Sequence, residues 1–144
     1  MNYWLLKSEP SEFSIDDLKN RPAATEHWDG VRNYQARNFI RDEMKCGDLA
    51  FFYHSNCKLP GIVGIVEIVR SAYPDFTAFD SESDHFDPKS HRDNPRWFMV
   101  DVRFKEQFSR TISLNELKEC IELQEMPLLR RGNRLSVMPV NNTQ

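Results

Sequence analysis

The sequence predicts an α+β domain: a small, curled, mostly antiparallel sheet or open β-barrel flanked by short helices. Three observations carry this reading. Gly61 to Tyr73 is apolar at nearly every position (Ile62, Val63, Ile65, Val66, Ile68, Val69), the β-branched signature of a central strand covered on both faces. Arg96 to Phe108 alternates instead, setting Phe98, Val100, Val102 and Phe104 against Trp97, Met99, Asp101, Arg103 and Lys105, so one face of that strand is core. The connections between apolar runs are short, which favours antiparallel neighbours and leaves space only for short helices.

The elements follow in chain order. Residues 2 to 7 are aromatic and aliphatic and stop at Ser8-Glu9-Pro10-Ser11, where proline forbids a further ladder hydrogen bond. Ser14 precedes Ile15-Asp16-Asp17-Leu18-Lys19 with an acid three residues on, a capping pattern that starts a short helix. Asn33 is a good N-cap for a helix from Tyr34 to Glu43, whose positions Tyr34, Ala36, Phe39, Ile40 and Met44 recur near helical spacing. Leu49 to His54 forms the second strand and pairs as a hairpin with Gly61 to Tyr73 across the loop Asn56 to Pro60. Residues 75 to 95 are acidic and punctuated by proline, an irregular excursion within one domain. Ser113 to Lys118 reads as a capped short helix, Gln124 to Leu129 as a turn and Asn133 to Val140 as a last extended segment. The count is four or five strands with three or four short helices, in a single domain spanning residues 1–144.

Composition narrows the function classes. A chain of 144 residues that is 40% hydrophobic buries a real core as one domain. A net charge of −3 excludes a protein that grips nucleic acid through a blanket of phosphate contacts, so any such contact is local. Three widely spaced cysteines without a C-x-x-C pair suit a reducing compartment, and no apolar run approaches membrane-spanning length. The expected setting is cytoplasmic, or nuclear in a eukaryote, with a monomer as the expected state. No phosphate-cradling glycine loop occurs, which speaks against nucleoside triphosphate chemistry.

Trp28-Asp29-Gly30-Val31-Arg32-Asn33-Tyr34-Gln35-Ala36-Arg37-Asn38 is the most informative run. Together with Phe52-Tyr53-His54-Ser55 at the end of a strand, it offers aromatic faces and polar edges that can wall a flat base. These two blocks, the opening Tyr3-Trp4-Leu5-Leu6-Lys7-Ser8-Glu9-Pro10, Gly61-Ile62-Val63-Gly64, Phe86-Asp87-Pro88-Lys89-Ser90, Pro95-Arg96-Trp97 and Leu129-Arg130-Arg131-Gly132-Asn133-Arg134-Leu135-Ser136-Val137-Met138-Pro139-Val140 resemble the EVE domain family. The resemblance runs through almost the whole chain in order. It implies a PUA-like pseudo-barrel with a pocket for a nucleobase, modified and carried in DNA or RNA, and a reader in place of a catalyst. It also implies a closing helix beyond Met138-Pro139-Val140, whereas this sequence ends at Asn141-Asn142-Thr143-Gln144.

The residues expected to form the base pocket are Trp28, Val31, Arg32, Asn33, Phe52, Tyr53, His54, Ser55, Leu129 and Ser136, with Lys7, Ser8 and Glu9 at the rim. The central expectation is that the Trp28 indole and the Tyr53 phenol sandwich one heterocycle. A Glu9 carboxylate at the mouth can accept from an exocyclic amine. Arg37 and Arg41, one helical turn apart, and Arg130 and Arg131 near the C-terminus are the candidate phosphate contacts. No cofactor is expected. Asp84, His85, Asp87, His91 and Asp93 match no standard zinc spacing and read as a hydrated acidic loop, and the pair His54 and Cys57 lacks an orienting partner for thiol catalysis. The alternatives are an enzyme acting on a modified base through Glu9 or His54, and a protein-interaction module with a flat aromatic patch.

Overall fold

A computed structural model describes residues 2–119 and 136–140. Strand β1 (Tyr3–Ser8) sends Trp4 and Leu6 into one hydrophobic cluster and Leu5 into a second, so it is covered on both faces. The chain then turns at the Glu9 carbonyl, which accepts from the N–H groups of Glu12 and Phe13, both at 2.9 Å. Helix α1 (Ile15–Lys19) starts at the expected capping box: Asp17 N–H donates to Ser14 Oγ at 3.1 Å and Ser14 N–H donates to Asp17 Oδ2 at 2.8 Å. Its buried face is Ile15 and Leu18.

A 3-10 turn (Pro22–Ala24) leads into β2 (Thr25–His27), a strand absent from the sequence reading. Thr25-Glu26-His27 has no strand pattern of its own, and pairing with β5 (Phe98–Ser113) creates the element. The helix expected over Tyr34 to Glu43 divides into α2 (Tyr34–Asn38) and a π-helical turn (Phe39–Glu43) closed by Met44 N–H donating to the Phe39 carbonyl at 2.8 Å. Ile40 and Met44 are both buried by this arrangement. Asn33 caps α2 as expected, its Oδ1 accepting from Ala36 N–H at 3.0 Å.

Strands β3 (Leu49–His54) and β4 (Gly61–Pro74) form the expected hairpin, and β4 pairs onward with β5. Helix α3 (Leu114–Glu119) follows β5, and β6 (Val137–Val140) pairs antiparallel with β1. The described sheet has six strands in the order β2-β5-β4-β3-β1-β6, against the four or five expected, and every pairing is antiparallel except β1 with β3. Among the described residues it stays open, with β2 and β6 at its two edges, so the architecture is a mixed open sheet and no closed barrel forms.

The first cluster, on the face carrying Trp4, Trp28, Phe52 and Val102, includes α1, α2 and the π-turn; the second, around Leu5, Tyr53 and Met138, includes Leu117 of α3. Segment 75–95 is irregular as expected, with a 3-10 turn (Phe76–Phe79) and a bridge between His91 and Asn94. It is also pinned: buried Asp75 and the carboxylate of Asp87 hold it to the body, the latter accepting from Trp97 Nε1 at 2.6 Å.

Asp48 closes the end of the sheet. Its buried carboxylate accepts from Trp4 Nε1 at 3.0 Å, Asn2 N–H at 3.1 Å and Lys45 N–H at 2.9 Å. Removing a shared acceptor leaves buried donors unmatched, each at a cost of about 1–3 kcal/mol. Asp48→Ala is therefore expected to lower stability by about 2–4 kcal/mol, read as a lower urea midpoint with an unchanged slope.

Candidate functional site

A hollow of about 420 Å³ opens where β1 ends beside β2. That volume lies within the roughly 300–1,000 Å³ range of ligand pockets. Lys7, Ser8, Glu12 and Phe13 form one side, Arg21, Glu26 and His27 another, and the turn Trp28-Asp29-Gly30-Val31 with His85 and Ser136 completes it.

Trp28 is the aromatic wall. Its N–H donates to the Val100 carbonyl at 2.7 Å, and its indole meets Phe52 edge-to-face at 5.4 Å and Phe13 at 6.3 Å between ring centroids. With 7% of its surface exposed, it is core on one side and pocket on the other. Phe52 is wholly buried behind it.

The turn after Trp28 is clamped from outside. Gly30, at φ +78°, donates its N–H to Asp75 Oδ2 at 2.8 Å, and a Cβ there would stand 2.6 Å from His85 Cε1. Glycine is therefore required for both backbone and space. Arg32 donates to Asp75 Oδ2 at 3.0 Å and, through Nε and Nη2, to the His85 carbonyl at 3.1 and 2.6 Å. These bonds bring the His85 ring over the hollow. Burial acts to raise the Asp75 pKa, but hydrogen bonds from Thr77, Gly30 and Arg32 outweigh it and hold the carboxyl below its ordinary value.

Charge inside the hollow is mixed. His27 faces carboxylates at both nitrogens, Glu26 Oε1 at 2.8 Å from Nδ1 and Asp29 Oδ2 at 3.3 Å from Nε2. Glu26 also pairs with Arg21 at 3.0 Å. Burial lowers the Lys7 pKa.

Of the sequence-derived pocket residues, Lys7, Ser8, Trp28, Val31 and Ser136 line this hollow. The expected sandwich is corrected: Tyr53 belongs to the second cluster, whereas Trp28 belongs to the first, because adjacent strand residues Phe52 and Tyr53 point to opposite faces. Burial raises the Tyr53 pKa. Arg32 is a clamp and Asn33 a cap, and neither lines the hollow. His54 accepts from Ile15 N–H at 3.2 Å through Nε2, and burial lowers its pKa against the opposing pull of Asp16 and Asp17, as befits a neutral acceptor. Ser55 N–H donates to the Ser8 carbonyl at 2.9 Å, and Glu9 Oε1 accepts from Asn56 at 3.1 Å, so both tie loops together outside the hollow. Arg37 donates to the Arg96 carbonyl at 3.0 Å and Arg41 pairs with Asp42 at 2.8 Å. Leu129, Arg130 and Arg131 lie outside the described residues.

Sequence reasoning missed Glu12, Phe13, Arg21, Glu26, His27, Asp29, Gly30 and His85 as lining residues. Asp29 and Gly30 sat within the run already singled out, and their position between Trp28 and Val31 was a usable signal. His85 reaches the hollow through Arg32 and Asp75, contacts across more than forty residues that no local pattern encodes. Among the described residues, no three His, Cys, Asp or Glu side chains converge as a metal site, and no helix is long and apolar enough to cross a membrane.

The EVE domain model matches residues 2–144. The chain belongs to the EVE domain family. Mouse thymocyte nuclear protein 1 is 51% identical over 160 residues, covering 99% of this chain and 70% of that protein. A crystal structure from Pseudomonas putida superposes on this EVE domain with TM-score 0.93 at 52% identity, covering 99% of this chain and 93% of that one. The human THYN1 protein, solved in complex with DNA containing 5-methylcytosine, superposes with TM-score 0.94 at 49% identity, covering 99% and 92% of the two chains.

The Asp75 clamp makes a pH prediction. A carboxyl with a lowered folded pKa adds stability above the unfolded value of about 3.9, and that stability is lost as pH falls through the folded value. Asp75→Asn is expected to cost about 2–3 kcal/mol near neutral pH. Urea midpoints of the two proteins should converge as the pH is taken below the carboxylate range.

Proposed function

We propose that this EVE domain reads a modified base, 5-methylcytosine in DNA, by holding the extruded base in the hollow beside Trp28. The observation that carries the reading is the pairing of an aromatic-walled hollow of about 420 Å³ with the 5-methylcytosine DNA complex of the human relative at TM-score 0.94. The base stacks on the indole, a contact worth about 1–3 kcal/mol. Taking a base out of a duplex costs a few kcal/mol, so unpaired or distorted DNA binds better than regular duplex.

The role is recognition without turnover. Phosphate contacts are few, as a net charge of −3 requires: Arg21 lines the hollow, and Arg37 on α2 and Arg41 in the π-turn supply partial contacts. Affinity therefore leans on the pocket and falls only modestly with salt.

Ser136 lines the hollow through a half-exposed position, while its carbonyl accepts from Lys7 N–H at 2.8 Å. Ser136→Trp fills the hollow and leaves that backbone bond in place. A single-stranded oligonucleotide with one 5-methylcytosine is expected to bind the unaltered protein more tightly than its unmethylated counterpart. The variant should lose about ten-fold or more, the equivalent of one stacking contact. Equal binding by the variant rejects the hollow as the base site.

A further inference from the structure

We infer that Asp29 is the group that selects the Watson–Crick edge of the base, accepting a hydrogen bond from an exocyclic amine and turning away bases with a carbonyl there. The inference rests on the reading above and adds to it the ligand chemistry: cytosine-type bases enter, thymine and uracil do not.

Three carboxylates line the hollow, and their surroundings separate them. Glu26 is occupied at both oxygens, by Arg21 at Oε2 and by His27 at Oε1. Glu12 is exposed at the mouth on a long side chain. Asp29 is short, follows the Trp28 wall directly, and has its Oδ2 3.3 Å from His27 Nε2, with no hydrogen bond at Oδ1 among the described residues. The turn that carries it is locked one residue later by the Gly30 N–H bond to buried Asp75. Asp29 thus brings to the hollow, one residue from the Trp28 wall, a carboxylate with one oxygen not engaged in a hydrogen bond.

An ionised carboxylate can only accept. Facing the 4-amino group of 5-methylcytosine it gains a charge-assisted hydrogen bond; facing O4 of thymine it sets one acceptor against another. The two bases share the ring methyl and differ only along the Watson–Crick edge, at the 4-position (amine against carbonyl) and at N3 (acceptor against N–H donor), so their comparison reads that edge. Glu9, the carboxylate that the sequence favours for this task, is tied to Asn56 outside the hollow.

The test compares single-stranded oligonucleotides that differ only in 5-methylcytosine or thymine at one position, against the unaltered protein, Asp29→Asn and Glu12→Gln. Expected is a preference of about ten- to a hundred-fold for 5-methylcytosine in the unaltered protein. Asp29→Asn, whose amide can donate to O4, should bring the two bases within about three-fold, chiefly by improved binding of thymine. Glu12→Gln should keep the preference. Thermal unfolding of Asp29→Asn close to that of the unaltered protein shows that the pocket is intact. A preference that survives Asp29→Asn, or that disappears in Glu12→Gln, overturns the assignment while leaving the base-reading function standing. Binding of neither oligonucleotide above the Ser136→Trp level overturns both.

Discussion

The buried carboxylate of Asp75 is the interaction on which the site depends. It takes hydrogen bonds from the Gly30 N–H, the Arg32 guanidinium and both the N–H and hydroxyl of Thr77. A buried charge left without such partners costs several kcal/mol, so each donor is also a constraint on where the chain runs. One carboxylate thereby fixes the turn after Trp28, the start of the acidic segment and, through the second set of Arg32 bonds, the carbonyl of His85. The hollow is the space left between these fixed parts.

The same segment shows how an irregular stretch can be rigid. Asp87 anchors the Trp97 indole, Tyr34 stacks on Trp97 at 4.9 Å, and Arg37 and Arg32 lie over the outer members of that stack at 4.9 and 5.3 Å. Burial of Trp97 beneath Tyr34 and Arg32 joins α2 to the segment by contacts that are partly aromatic and partly cation–π. Loops that carry function on a rigid scaffold need this kind of attachment, because a base pocket that opens freely loses its stacking geometry.

Much of the fold was legible in the sequence, and the reason is local. The capping box at Ser14 and the Asn33 cap are short-range patterns that stand where the sequence put them, and the alternating strand expected over Arg96 to Phe108 is found as Phe98–Ser113. β2 escaped because Thr25-Glu26-His27 is a strand only through its partner β5. The π-turn escaped because Phe39, Ile40 and Met44 satisfy an α-helical reading equally well. The hollow was legible only in part: Trp28, Val31, Lys7, Ser8 and Ser136 line it, while Arg32, Asn33, His54 and Glu9 are chemically capable residues whose polar groups are occupied in holding the chain. Residue type states what a group can do. Only the tertiary partners state whether it is free to do it.

That distinction bears on the aromatic lining of the hollow. With Tyr53 in the other cluster, the aromatic rings lining the hollow are Trp28 and Phe13, and the rest of its wall is mostly polar side chains and the His85 imidazole. A pocket with one strong stacking face binds any flat heterocycle about equally, because every base has a π-face. Discrimination among bases therefore has to come from their edges, where hydrogen-bond donors and acceptors differ. The acidic balance of the chain acts in the same direction: a net charge of −3 offers little sequence-independent affinity for phosphate, so under the proposed function binding depends on the fit of the base.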